Sequence, residues 1–305
     1  MLSRRLAVVT LLSSVCFAGI VEDVRIAASQ NDLSRVTAEL DSYKSQHGVT
    51  PEYLEAMSWV ARDSLFRKQL DTAETYARQA ESFARQLLYK RPLDVEPRLP
   101  LALGAALEVQ ANVLAARGQQ AQAAALLRRA LANYGKSSIH ARLQKNLNLL
   151  GLAGQPAPPL NVTPYLGVRP QALAQLKGSP VLLFFWAHWC SDCKNEGPII
   201  TRLRSEYAAK GLALVAPTQL YGYAAGGIDV QPKEETAYIG QIWQRYYSSL
   251  QDVAVPVSKA NFDNYGASTT PTLVLLDRGG RVALYHPGAM SYGDLQAAIE
   301  RTLAQ

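Results

Sequence analysis

Phe184-Phe185-Trp186-Ala187-His188-Trp189-Cys190-Ser191-Asp192-Cys193 is the stretch on which the reading of this chain turns. It closes an unbroken apolar run, Val181 to Trp186, as expected of a strand buried on both faces. The residues after it, through Tyr207, read as helical, which puts Cys190 at or just before a helix N-terminus. Backbone N–H groups left unpaired there, together with the helix dipole, favour an anion. A thiolate is the nucleophile of disulfide exchange, and such a position lowers its pKa below the free value of about 8.5. Cys193 lies one helical turn on, where it can reach the sulfur of Cys190 and release a mixed disulfide. Cys190 is therefore the expected attacking thiol and Cys193 the resolving thiol.

Outward from this point the pattern stays α/β. Leu212–Ala216 is a second apolar run, and Thr272–Leu276 and Val282–Tyr285 flank the turn Asp277-Arg-Gly-Gly280. Helical stretches fall after Cys190, over Ala237–Leu250 and over Tyr292–Leu303. Strands alternating with helices, then a hairpin and a last helix, describe a mixed sheet covered by helices. From Val21 to Leu150 the signals are only helical, rich in Ala, Leu, Gln and Arg, with a break at Pro92, Pro97 and Pro100. Gly151-Leu-Ala-Gly-Gln-Pro-Ala-Pro-Pro159 reads as a boundary. The expected organisation is a signal peptide over 1–18, an all-α domain of helical hairpins over 19–150, a linker over 151–163 and an α/β domain over 164–305.

The signal reading rests on Arg4 and Arg5 before the apolar run Leu6–Phe17, which ends in Cys16-Phe17-Ala18. An uncleaved membrane anchor is its alternative, and Val15 before Cys16 argues against lipidation. No other segment reads as long and apolar enough to cross a membrane. The chain has 3 cysteines, so cleavage after Ala18 leaves one CxxC as the whole thiol complement of an exported, periplasmic-type protein. The net charge of +6 is spread along helices without Lys/Arg runs longer than two, which speaks against nucleic acid as a partner.

In the helical region Leu107, Ala111 and Leu114, a turn at Gly118, then Ala123, Leu127 and Ala130 resemble a tetratricopeptide repeat, with a weaker echo at Met57, Ala61, Ala73 and Ala80. A generic alanine-rich hairpin packs by the same spacing, and the repeat's terminal proline is missing near Gly135. His47 and His140 stand alone, as surface or capping residues. This half carries no visible catalytic constellation and reads as a packing or docking module.

Trp186-Ala-His-Trp-Cys-Ser-Asp-Cys193 resembles the active site of thioredoxin-like proteins, and Glu196 and Pro198 resemble the TlpA/ResA-like branch of exported thiol-disulfide oxidoreductases. Tyr265-Gly-Ala-Ser-Thr-Thr-Pro-Thr272 is similar to the family's cis-proline segment, and Tyr285-His-Pro-Gly288 to its last strand. The resemblance covers about Pro156 to the C-terminus. It implies a thioredoxin fold, with Pro271 as the cis-proline, Thr270 before it, and a loop against the CxxC that offers backbone groups to an extended substrate. Trp189, Thr270 and Pro271 are the candidate substrate-binding residues, and Glu196, Lys194 and His188 the supporting ones. The implied partners are protein disulfides or dithiols and a redox partner protein, with reduction as the usual direction. No metal or organic cofactor is required, because the sulfurs carry the electrons.

Two departures stand out. Phe184 occupies the strand position where the family often has a polar or acidic residue that moves protons. Ser191-Asp192 replaces the common Gly-Pro or Pro-Pro; Asp192 opposes a thiolate by like charge while Lys194 and His188 favour it. The stretch Pro217 to Pro256 is longer than a minimal thioredoxin needs; Trp243 and Tyr246 in it are expected to pack, and its other aromatics could face substrate. Zinc is a poor alternative for the cysteines, since only His188 and His286 lie near. A purely structural bridge does not need the tryptophan-flanked strand-to-helix setting. A peroxiredoxin pattern fails, because Leu183 and Ala187 stand where Pro and Thr are required. The rival from another class is a scaffold whose helical repeats grip a partner, with the thioredoxin-like part as an accessory or redox sensor.

Overall fold

The computed structural model describes residues 19–304, so the expected signal segment over 1–18 lies outside the described residues. The first half consists of α1 (Ile20–Ser29), α2 (Leu33–His47), α3 (Pro51–Phe66), α4 (Leu70–Leu88), α5 (Arg98–Ala116), α6 (Gln120–Tyr134) and α7 (His140–Gly151). Short polar side chains start two of them. Asp32 accepts the Arg35 N–H, and Thr50 accepts the Tyr53 N–H with Pro51 in the first turn. The buried face of α4 is all alanine, Ala73, Ala77, Ala80 and Ala84, which lets α3 and α5 approach closely. Of the residues singled out in the sequence, Leu107, Ala111, Ala123, Leu127, Ala130, Met57, Ala61, Ala73 and Ala80 are buried, and Leu114 is partly so. The α5–α6 turn uses Gly118 at φ +77°.

One expectation fails here. Helix α5, 19 residues long, is apolar enough to cross a membrane by length and composition. Two-thirds of that apolar window, 67 %, is buried inside the helical half, with Leu99, Leu103, Ala106 and Val113 fully enclosed. Sequence hydropathy does not distinguish such a core helix from a span.

The second half has β1 (Tyr165–Gly167), β2 (Val181–Phe185), α8 (Ser191–Tyr207), β3 (Ala213–Val215), α9 (Pro232–Tyr246), β4 (Ala254–Pro256), α10 (Lys259–Tyr265), β5 (Thr272–Leu276), β6 (Val282–Pro287) and α11 (Tyr292–Leu303). The sheet order is β1-β4-β3-β2-β5-β6. Strand β2 lies centrally, parallel to β3 and antiparallel to β5, with Val181 opposite Leu276 and Phe185 opposite Thr272. Its residues alternate between two cores. Leu182 and Phe184 join Ile200, Leu203, Trp243 and Ile299 on the face covered by α8, α9 and α11. Leu183 and Phe185 join Phe262 and Tyr265 of α10 on the other. This is the thioredoxin fold with its mixed sheet, preceded by an all-helical region.

The boundary stretch is stitched to the second half rather than left as a free tether. The Gly154 N–H donates to the Val282 carbonyl, the Val282 N–H to Gln155, and the Ala157 N–H to Gly280, so the stretch runs along the outer side of β6. Helix α7 sits on the end of α10. Asn148 Nδ2 donates to the Tyr265 carbonyl at 2.9 Å. Tyr285 Oη donates to the same carbonyl and to that of Gly266. Gly266 has φ +60°, and a Cβ there would lie 2.6 Å from Lys145 Cα and 2.7 Å from the Gln144 carbonyl carbon. Only glycine meets both demands.

Candidate active site

Strand β2 delivers the chain to Trp186, whose N–H and indole Nε1 donate to the Pro217 and Ala216 carbonyls, while Thr218 Oγ1 donates to the Trp186 carbonyl. These bonds fix the short connection to α8. Cys190 is the N-cap of that helix, and its Sγ accepts the Cys193 N–H at 3.0 Å. The sulfur thus takes the place that Asp32 and Thr50 oxygens take elsewhere in the chain, and it faces the positive end of the dipole. Cys190 and Cys193 are joined as a disulfide with Cα atoms 5.3 Å apart. Cys193 is fully buried, whereas Cys190 is 4 % exposed. An incoming nucleophile or disulfide therefore meets Cys190 first.

The remaining sequence candidates sit on several of the elements around the cystine. Thr270 and Pro271 close over the cystine: their peptide bond is cis, and the Thr270 carbonyl oxygen is 3.3 Å from Cys190 Sγ. Trp189 stands beside Cys190, 48 % exposed, with its ring edge against Tyr221. Glu196 is buried one turn past Cys193 and accepts the Met290 N–H at 3.2 Å; burial raises its carboxyl above the ordinary range, partly offset by that bond, and Asp192 adds to the rise. Lys194 places its ammonium 5.1 Å from the centre of the Tyr246 ring, a cation–π contact. That contact corrects the expectation for Tyr246, which is exposed between Lys194 and Arg245. The packing role goes to its neighbour Tyr247, which stacks on Trp243 and meets Trp186 and Phe184. A phase error of one residue on α9 separates the two faces. Gly197 makes room, since a Cβ there would stand 3.0 Å from the Tyr247 ring.

His188 is wholly enclosed, in the connection after β2. Its Nε2 lies 3.3 Å from Glu235 Oε1, and both side chains are 1 % exposed. Burial lowers the His188 pKa, and Glu235 opposes that shift. Tyr221, Tyr223 and Tyr238 meet the imidazole edge-on, with centroids 5.4 to 5.5 Å away. Glu235 also accepts the backbone N–H groups of Tyr221 (2.5 Å) and Gly222 (2.8 Å). Sequence reasoning missed Glu235. Helix α9 begins at Pro232, five residues before the expected Ala237. The Pro in its first turn and the acidic pair Glu234-Glu235 were the available signal for that start. Nothing local marks Glu235 as the partner of a histidine 47 positions earlier.

A dipole-facing cysteine at a helix start, bonded to a second one a turn on and closed by a cis-proline loop, defines a thioredoxin-type redox centre. A family model for the thioredoxin-like domain matches residues 170–303. Over 148 residues the chain is 27 % identical to the thiol-disulfide oxidoreductase ResA of Bacillus thuringiensis (strain Al Hakam), spanning 48 % of this chain and 77 % of that protein. Over 158 residues it is 30 % identical to the thiol:disulfide interchange protein DsbE of Xylella fastidiosa (strain Temecula1), spanning 50 % and 68 %. A solved thiol:disulfide interchange protein of the thioredoxin family from Chlorobium tepidum is similar to it at 19 % identity and a TM-score of 0.38, over 49 % of this chain and 96 % of that one. The chain belongs to the thioredoxin-like family of thiol-disulfide oxidoreductases.

Proposed function

We propose that this is an exported thiol-disulfide oxidoreductase that reduces disulfides in other proteins. In the reduced enzyme the Cys190 thiolate attacks one sulfur of the client disulfide. A Cys190–client bond forms, the client S–S bond breaks, and the departing client thiolate takes a proton. Cys193 then gives up its proton and attacks Cys190 Sγ, releasing the second client thiol and leaving the Cys190–Cys193 cystine. Two electrons and two protons pass to the client, and a redox partner protein returns them by the reverse exchange.

The observation that carries this reading is Cys190 capping α8, with the Thr270 carbonyl beside its sulfur and Cys193 sealed behind it. The basic-then-apolar segment before Ala18 supports export. The domain limits 19–150, 151–163 and 164–305 belong to the same proposal. So does a partner-binding role for the helical hairpins as tetratricopeptide-like units, supported by the alanine-lined α4 and the glycine turn of α5–α6.

Insulin reduction by the dithiothreitol-loaded full chain is the test. Wild type should precipitate the insulin B chain, Cys190→Ser should not, and Cys193→Ser should accumulate a mixed disulfide on Cys190. A Cys190→Ser variant as active as wild type, or a reduced protein whose Cys190 resists alkylation, would sink the proposal.

A further inference from the structure

The 219–231 stretch and the His188–Glu235 pair find no use in the exchange chemistry above. We propose that His188 and Glu235 are positioning residues for client selection: they hold the Tyr221–Gly222 turn against Trp189, building a wall beside Cys190 that binds the polypeptide flanking a client disulfide. This rests on the disulfide-exchange reading.

The bonds of the pair point to the turn. Glu235, in the first turn of α9, receives both the Tyr221 and the Gly222 N–H and so fixes the backbone there. His188 Nε2 lies 3.3 Å from Glu235 Oε1, the oxygen that also receives the Tyr221 N–H, as a close charge–dipole neighbour without hydrogen-bond geometry, and it sits next in sequence to Trp189. One buried carboxylate therefore ties the approach to Cys190, the 219–223 turn and α9 into one unit. The Tyr221 ring is the shared surface: it lies 5.5 Å from both the His188 and the Trp189 rings, nearly perpendicular to each. Beyond the turn the stretch closes on itself through the Tyr223–Asp229 bridge, and it presents Leu220 and Ile228 to solvent at 36 % and 67 % exposure. Leu220 adjoins in sequence the Tyr221 ring that meets Trp189, and with Trp189, 48 % exposed and next to Cys190, it gives the wall an apolar margin. Residues flanking a protein disulfide would contact that margin, while a small disulfide has nothing to lay on it. The groups that face His188 are Glu235 and Tyr238 from α9, Tyr221 and Tyr223 from the turn, and Lys194 from α8.

The test compares kcat/KM for insulin with kcat/KM for bis(2-hydroxyethyl) disulfide in the full-length protein. In His188→Leu the insulin-to-small-disulfide ratio should fall at least fivefold, chiefly through KM for insulin. His188→Gln, which keeps an N–H for Glu235, should restore it to within twofold of wild type. Tyr221→Ala leaves the buried pair in place and should lower the ratio likewise, which keeps the test open if His188→Leu does not fold. A ratio within twofold of wild type in folded His188→Leu and Tyr221→Ala overturns the proposal. Wild type inactive on both substrates would instead overturn the underlying exchange reading.

Discussion

Replacing Gly266 by alanine should loosen the joint between the helical half and the thioredoxin fold. Two costs are separable. A non-glycine residue at φ +60° pays about 1–2 kcal/mol for the left-handed backbone. The new methyl would also run into the backbone of α7 at Lys145 and Gln144, and backbone, unlike a flexible side chain, cannot swing aside. Overpacking of that kind costs about 1–3 kcal/mol. If α7 retreats, the Asn148–Tyr265 hydrogen bond goes too, for about 1 kcal/mol. The sum is about 3–6 kcal/mol, a large share of the stability of a typical domain. Gly118→Ala is the control, because Gly118 has a similar φ of +77° and a Cβ added there would have nothing within 4 Å. It should lose only the backbone term, about 1–2 kcal/mol. Urea unfolding of both variants measures the difference, and limited proteolysis between Leu152 and Pro164 reports whether the halves part before either unfolds. Equal losses in the two variants, with no added cleavage, would show that α7 does not bear on Gly266.

Other outcomes follow from the site. Gly197→Ala should push Tyr247 off the Trp186–Trp243 stack for about 1–3 kcal/mol, seen as a change in near-UV circular dichroism along with a lower Tm. Glu196 has a folded-state pKa above its unfolded value, so its contribution falls as pH rises from the ordinary carboxylate range through that raised value; Glu196→Gln should be more stable than wild type at neutral pH, and a less stable variant would contradict this. His188 has a folded-state pKa below its unfolded value, so the unfolded chain takes its proton first and stability drops as pH falls below about 6.5. His188→Gln should flatten that part of the urea-midpoint profile.

Much of this architecture was open to inspection in the sequence because burial writes itself as pattern. The runs at Val181 and Thr272 are fully buried strands, and Tyr292–Leu303 is a helix at the predicted bounds. The cystine and its capping position followed from a strand running directly into CxxC. Strands β1 and β4 were not legible: β1 exists only by pairing with β4, and Pro256 within the β4 stretch argues against a strand when read locally. Helix α10 is seven residues long and takes its place from Phe262 and Tyr265 packing on Phe185, a tertiary cause. The pairing of His188 with Glu235 was hidden for the same reason. Tyr246 and Tyr247 differ only in phase, and the sequence offers no way to choose between adjacent tyrosines at a helix end.

The sheet's two margins carry a consequence for how readily it can pair with another chain. At one side β1 is only three residues long and ends in Gly167 at φ +67°; at the other the 154–157 stretch lies along the start of β6. Both features shorten the run of free amide and carbonyl groups on which an unfolded polypeptide could template itself. An extended chain from outside thereby finds little edge on which to add itself as a seventh strand, and two copies of this molecule little edge by which to join their sheets.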